Sequence, residues 1–297
     1  MSPASRRALP VPSWLLAGLL ALGTACAADG PDSTQALPLG AFNFTLESRS
    51  PVEQVAFLEG LGYDGMALFW PGPEAFAEFT AAPAVREGRF RMRAVLLEFR
   101  FEPGWDRGAV DAMLRALAPN GTDLWLILMD PASPAAARVD AVRELTDLAT
   151  ARGVRVVVYP HFGTGVATVE EALSLIDAVG RPRLKASLHL CHELKAGHVD
   201  RLAEIITAAA PRLALASVNG ASRDTRAEGW AQAIQPLDRG DLDVQSAYLL
   251  PLLRAGYSGP FLLHTFGIEP PPEEHYRRSH EAWRKMSRAV ADTLAGG

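Results

Sequence analysis

Four of the seven histidines in this 297-residue sequence fall at the ends of short apolar runs, where a strand would give way to a loop. They are His161 in Tyr159-Pro160-His161, His189 and His192 in His189-Leu190-Cys191-His192, and His264 in His264-Thr265. The other three, His198, His275 and His280, fall in helix-like stretches and read as surface or packing residues. Imidazoles that converge in a partly dry cavity have two uses, as neutral ligands of a divalent metal or as general acids and bases titrating near neutrality. Either use suits moving a proton at a carbon next to a carbonyl. That reaction needs a base on one face, an acid or second base, and a group that polarises the carbonyl oxygen. Glu47, Glu98 and Asp130 end other runs and offer carboxylates, and Asn219 offers an amide to a substrate hydroxyl. A plainer reading stands beside this one. In it His161 and His264 satisfy backbone groups at a rim, His189 is a hydrogen-bonded core residue, and the carboxylates cap helices or pair with Arg49 or Arg100.

For the ends of these runs to meet, the runs must lie side by side and point the same way. Strand-length apolar runs alternate with helix-length amphipathic stretches along the chain, the pattern of βα units around a parallel sheet. The runs are 39–46, 63–70, 90–101, 123–130, 154–159, 184–191, 213–218 and 259–266. Ser50-Pro51 opens a helix with Ser as cap and Pro in first position, and Thr168 with Glu171 predicts a capping box. Gly88, Asn120-Gly121, Gly153 and Gly180 end helices, and a last helix covers about 273–294. Eight such units in about 260 residues predict the α/β class and a single (β/α)8 TIM barrel, whose working residues gather at the C-terminal ends of the strands. An open doubly wound sheet would carry a phosphate-binding glycine loop after its first strand, where this chain has Glu47-Ser48-Arg49-Ser50. Segment 221–243 is long for a βα loop and is expected to reach over the barrel mouth.

Residues 1–28 read as a signal peptide, with Arg6 and Arg7 as its charged region, 14–22 as its apolar stretch and Ala25-Cys26-Ala27 as a small-residue cleavage site. Ser5-Arg6-Arg7-Ala8-Leu9 is a partial twin-arginine pattern. Gly23-Thr24-Ala25-Cys26 is a partial lipobox that would leave Cys26 as a lipid anchor, the one membrane attachment expected. Residues 29–38 form a leader and 39–297 the barrel, exported to the periplasm or held on a membrane as a lipoprotein. The formal charge is -5. Arg6 and Arg7 are the only charged residues before Asp29, so their loss takes the basic count from 29 to 27 against 34 acidic residues. That balance excludes a nucleic-acid partner, because phosphate affinity comes largely from Lys and Arg. With Cys26 in the signal segment, Cys191 has no disulfide partner and reads as a small buried hydrophobe.

From about 154 to 288 the chain resembles the xylose-isomerase-like sugar phosphate isomerases and epimerases. The matching pieces are Tyr159-Pro160-His161, Leu190-Cys191-His192, Val218-Asn219-Gly220-Ala221, Trp230, Pro236-Leu237, Gly240-Asp241-Leu242-Asp243, Gly256-Tyr257-Ser258-Gly259-Pro260, Ser279 and Trp283-Arg284. The resemblance implies a divalent metal held by Glu from strand five, Asp from strand six, a later His and Glu from strand eight. By position Tyr159, His189 and His264 stand in place of those three carboxylates, while His192 keeps the His. Losing three hard oxygen ligands argues against a Mg or Mn site of the usual kind. Three outcomes stay open: a Zn or Mn ion held by His189, His192 and His264, with or without His161; no metal, with histidine acid/base catalysis; or a carbohydrate pocket without chemistry.

The reading that follows is a sugar isomerase or epimerase acting on a sugar or keto-sugar by proton transfer next to a carbonyl. His161 and His192 serve as acid/base groups, Glu98 or Asp130 as the carboxylate, and Tyr159 and Asn219 as substrate contacts. A keto-glycoside lyase and a non-catalytic carbohydrate-binding barrel are the alternatives. The partner is a small carbohydrate, and the sequence leaves the oligomeric state open. An abasic-site endonuclease of the same superfamily is disfavoured, since it would need a carboxylate-rich metal cluster and a basic face.

Overall fold

Parallel strands cannot be joined by tight hairpins, so each apolar run here is followed by a crossover that returns the chain to the same edge of the sheet. The computed structural model describes residues 36–269 and 271–296. The expected signal peptide with Cys26, and the expected leader as far as residue 35, lie outside the described residues.

The strands are β1 (Leu39–Phe42), β2 (Gly65–Phe69), β3 (Arg91–Phe99), β4 (Asp123–Leu128), β5 (Val156–Val158), β6 (Lys185–His189), β7 (Leu213–Val218) and β8 (Phe261–Leu263). All pair in parallel and in chain order, and β1 closes on β8 through Gly40 opposite Leu262. The helices are α1 (Pro51–Gly60), α2 (Pro73–Ala81), α3 (Pro83–Arg86), α4 (Arg107–Leu117), α5 (Ala135–Ala151), α6 (Val169–Val179), α7 (Leu190–Lys195), α8 (Leu202–Ala209), α9 (Leu250–Arg254) and α10 (Pro272–Ala295). None of these is long and apolar enough to cross a membrane. The result is the expected single (β/α)8 barrel.

Most strands are shorter than the apolar runs that announce them. The excess residues go into the barrel rim: β1 ends at Phe42, and Asn43 to Glu47 then turn outward toward α1. His192, expected at a strand end, sits one turn into α7, because β6 passes directly into that helix at Leu190. The Ser50 cap of α1 is a full capping box with Glu53. At α6, Thr168 accepts from Glu171 N as expected, but the Glu171 carboxylate accepts from Ala167 N (2.6 Å), one residue earlier than a capping box requires.

Alternation along the strands sorts side chains between two cores. Leu39, Val95, Leu126, Val158, Leu188 and Val218 pack outward against the helices. Phe42, Leu96, Trp125, Ile127, Tyr159, Leu215 and Leu262 fill the interior, making it a packed core with a floor on which a site can rest. The long excursion between β7 and α9 is pinned at both ends by glycine. Gly220 forms a two-way backbone bridge with Gln235 (3.0 and 2.8 Å), and a Cβ there would lie 2.1 Å from Pro236 O. Gly240 has φ +92°, and its Cβ would lie 2.0 Å from Ala221 O. A Gly240→Ala substitution is therefore expected to cost about 3 kcal/mol, from a positive φ together with a backbone clash. Urea denaturation checks it, and an unchanged midpoint would contradict this account of the excursion.

Candidate functional site

The C-terminal ends of the strands enclose a cavity of about 340 Å³. Its polar groups are Glu98, Tyr159, His161, Thr164, His192 and His264, and its walls are Phe44, Phe69, Leu96, Ile127, Met129, Trp230, Ile234 and Phe266. The excursion does reach over the mouth, through Trp230 and Ile234. Three of the four histidines expected at strand ends thus share one cavity, His192 from inside α7: the rings of His161 and His192 lie 4.2 Å apart, and those of His192 and His264 6.2 Å apart.

Backbone groups fix where each proton sits. His161 Nδ1 lies 3.0 Å from the carbonyl oxygen of Phe162, which can only accept, so Nδ1 carries the hydrogen and the Nε2 lone pair is free. The N–H of the same Phe162 donates to His192 Nδ1 (3.3 Å), which reverses the assignment there and puts the His192 hydrogen on Nε2. The N–H of Phe266 donates to His264 Nδ1 (3.4 Å), so its hydrogen is also on Nε2. Both Nε2 atoms lie 3.3 Å from the Tyr159 hydroxyl. Burial favours the uncharged form of all three rings: it lowers His161, takes His192 well below the usual value and brings His264 to about 3. The Phe162 carbonyl, and after it the Glu98 carboxylate, partly restore the basicity of His161. Burial also pushes the Tyr159 phenol well up.

His189 is not in the cavity wall. It lies under Tyr159, ring on ring at 3.6 Å. Ser187 Oγ donates to Val158 O (2.9 Å), so it accepts from Trp125 Nε1 (2.6 Å) and from His189 Nε2 (2.7 Å). His189 Nδ1 then accepts from Ser217 Oγ (2.9 Å). Both ring nitrogens are used, and burial holds His189 neutral. The plainer reading of this residue, a satisfied core histidine, describes its contacts. Asp130 lies outside the cavity lining, accepting from Phe101 N (3.1 Å), and Asn219 is buried with its amide donating to Gly220 O and Ala233 O. Glu98 reaches the cavity and pairs loosely with Arg100 at 3.5 Å. Among the residues not singled out from sequence, Phe69 ends β2, and Phe44 and Phe266 lie in the loops just beyond β1 and β8. A large apolar side chain exposed at a strand end is the signal that would have marked them. Polarity inside otherwise apolar strands is the signal that would have marked Ser187 and Ser217.

The sequence profile of the xylose isomerase-like TIM barrels matches residues 130–286. The chain belongs to that family. Three solved structures show how widely this xylose isomerase-like barrel is shared. One is described as a xylose isomerase-like TIM barrel/4-hydroxyphenylpyruvate dioxygenase fusion protein, with 18% identity and a TM-score of 0.68 over 88% of this chain. The chain spans 45% of that fusion protein's length. The second is 3-keto-D-glucoside 4-epimerase from E. coli in its apo form, with 15% identity and a TM-score of 0.64, covering 84% of this chain and 99% of the other. The third is the IOLI protein with a bound zinc atom, with 17% identity and a TM-score of 0.64, covering 86% and 99%. No curated protein matches the sequence.

The family resemblance implies a metal, so the donor set of this xylose isomerase-like barrel matters. Cys191, His192 and His264 bring one donor atom each to within 4.8 Å of one another. Their chemistry does not fit an ion at that point. The Nε2 atoms that face inward on His192 and His264 carry hydrogens, because the outer nitrogens accept from backbone. Burial pushes the Cys191 thiol up, away from thiolate, and His189 has no free nitrogen.

Proposed function

We propose that this chain is a sugar isomerase or epimerase that acts on an unphosphorylated keto-sugar by moving a proton at the carbon next to the carbonyl. The observation that carries this is His161, which lines a cavity together with Tyr159 and has its Nδ1 bonded to a carbonyl, so that its Nε2 lone pair is unbonded. A neutral imidazole with its other nitrogen bonded to a carbonyl is a general base ready at neutral pH. In the step, His161 Nε2 takes the proton from carbon, the C–H electron pair becomes the C=C bond of an enolate, and the carbonyl π pair moves onto its oxygen. Return of the proton from His161 to the neighbouring carbon, with a proton passing from that carbon's hydroxyl to the enolate oxygen, gives the isomer; the epimer needs a proton delivered to the other face, for which Glu98 is the other acid/base group lining the cavity. Aromatic walls suit the C–H face of a sugar ring. No Lys or Arg among the described residues lines the cavity, which favours a substrate without phosphate. Of the cations close to the lining, Arg100 is paired with Glu98 (3.5 Å), and Lys195, 5.9 Å from the Trp230 ring, is already bonded to Thr225 O and Ala227 O. Such a substrate also agrees with a protein working outside the cytoplasm, behind the signal peptide read in residues 1–28.

Incubation with D-fructose, D-tagatose, L-ribulose and a 3-keto-D-glucoside in D2O, followed by proton NMR, is expected to show deuterium entering one of them at the carbon next to the carbonyl. Exchange accompanied by loss of a substituent would favour the lyase reading. Binding of a sugar without exchange on any of the four would leave the barrel a carbohydrate-binding protein and sink the enzymatic reading.

A further inference from the structure

A proton-transfer site of this kind needs a group that pulls electron density onto the carbonyl oxygen, and the residues that would hold an ion for that purpose are donors here. On the proton-transfer reading above, we propose that the Tyr159 hydroxyl is that group. His192 Nε2–H and His264 Nε2–H both donate to the Tyr159 oxygen (3.3 Å each) and so fill its two lone pairs. The phenol hydrogen has no acceptor among the described residues, while Tyr159 lines the cavity. The only place left for that hydrogen is toward a ligand. Two N–H donors on the phenol oxygen polarise the O–H, since hydrogen bonds in series strengthen one another in a low-dielectric site. They would also stabilise the phenolate if the proton passed fully to the substrate oxygen.

Everything around the phenol holds it in this role. His189 stacks against the ring, itself locked by Ser187 and Ser217, and Trp125 packs 4.8 Å away. The backbone of Phe162 sets the opposite tautomers of His161 and His192: its carbonyl makes one ring a base and its N–H makes the other a donor. The site therefore carries the base, His161, and the electrophile, Tyr159, with ring centroids 6.0 Å apart. The enolate oxygen stays hydrogen-bonded to Tyr159 while the imidazolium of His161 holds the abstracted proton.

The test has arms with and without substrate. In protein labelled with ¹⁵N-histidine, long-range ¹H–¹⁵N spectra assigned with His192→Gln and His264→Gln are expected to show both rings as Nε2–H tautomers. Both Nε2 signals are expected to move in Tyr159→Phe, which loses their shared acceptor. One equivalent of Zn²⁺ should leave the spectrum unchanged and be removed by desalting. An Nδ1–H tautomer at either ring, or zinc retained one per chain with loss of those signals, would overturn the proposal. Neither readout needs a substrate, so a negative exchange assay does not blur the result. On the keto-sugar that exchanges best, Tyr159→Phe is expected to lower kcat about 100-fold with little change in KM, as for loss of one donor to a developing oxyanion. EDTA-dialysed enzyme should keep its full rate, and a rate lost on dialysis and restored by Zn²⁺ or Mn²⁺ would equally overturn the proposal.

Discussion

A His161→Gln substitution is expected to slow deuterium exchange about 1000-fold while the fold and the melting temperature barely change, because general-base catalysis by a positioned imidazole contributes factors of that order. The side chain is at the rim and only half-buried, and its one internal bond is to the neighbouring carbonyl. Gln preserves that bond and most of the volume while removing the lone pair. The wild-type rate should follow the neutral form of His161. Burial lowers the pKa of this group from its ordinary 6.5 while the Phe162 carbonyl and then Glu98 pull it part of the way back, so activity falls only when the pH drops below 6.5. Glu98→Gln removes the opposing pull and should move the acid limb of the profile to lower pH. An acid limb unmoved in Glu98→Gln, or a His161→Gln enzyme within threefold of wild type, would take the base out of the proposed mechanism.

The barrel was legible in the sequence because its determinants are local and repeated. Glycines such as Gly153 and Gly180 stop helices at φ 78° and 66°, and β-branched runs such as 156–158 can only be core strands. Histidine placement was legible for the same reason, since a strand end is a position along the chain. The roles were not. Whether His189 faces a cavity or a pair of serines depends on Ser187 and Ser217 on two strands, and whether His192 is a ligand or a donor depends on the peptide of Phe162, thirty residues earlier. Those are directions of single hydrogen bonds, which periodicity does not encode. Asp130 shows the opposite failure. Its position at the end of β4 was correct, yet its carboxylate is drawn away to the backbone of Phe101 and never reaches the cavity.

The same buried imidazoles should make the protein acid-labile well above the range in which carboxylates protonate. His189, His192 and His264 are all fully buried, and burial places each below its ordinary 6.5, at about 3 for His264. When the chain unfolds, each ring regains a value near 6.5. Between that value and its folded one, the unfolded state holds a proton that the folded state refuses. Stability from these groups is therefore complete above pH 6.5 and declines as the pH falls below it. The loss is about 1.4 kcal/mol per pH unit for each ring, or about 4 kcal/mol per unit for three. Glu193 and Asp123 work in the opposite sense, since burial raises both, and their protonation in the folded state offsets part of the loss as the pH nears 5. The net expectation, for urea unfolding in the presence of EDTA, is a plateau from pH 8 to about 6.5 followed by a steep fall toward pH 5. Substituting His264 by Phe, which fills the ring volume against Phe42 and Phe44 without a titrating group, should reduce the slope by about one proton. A flat stability profile from pH 7 to 5 would mean that these rings accept protons in the folded state, and with that the neutral, donor-bearing cluster around Tyr159 would not exist.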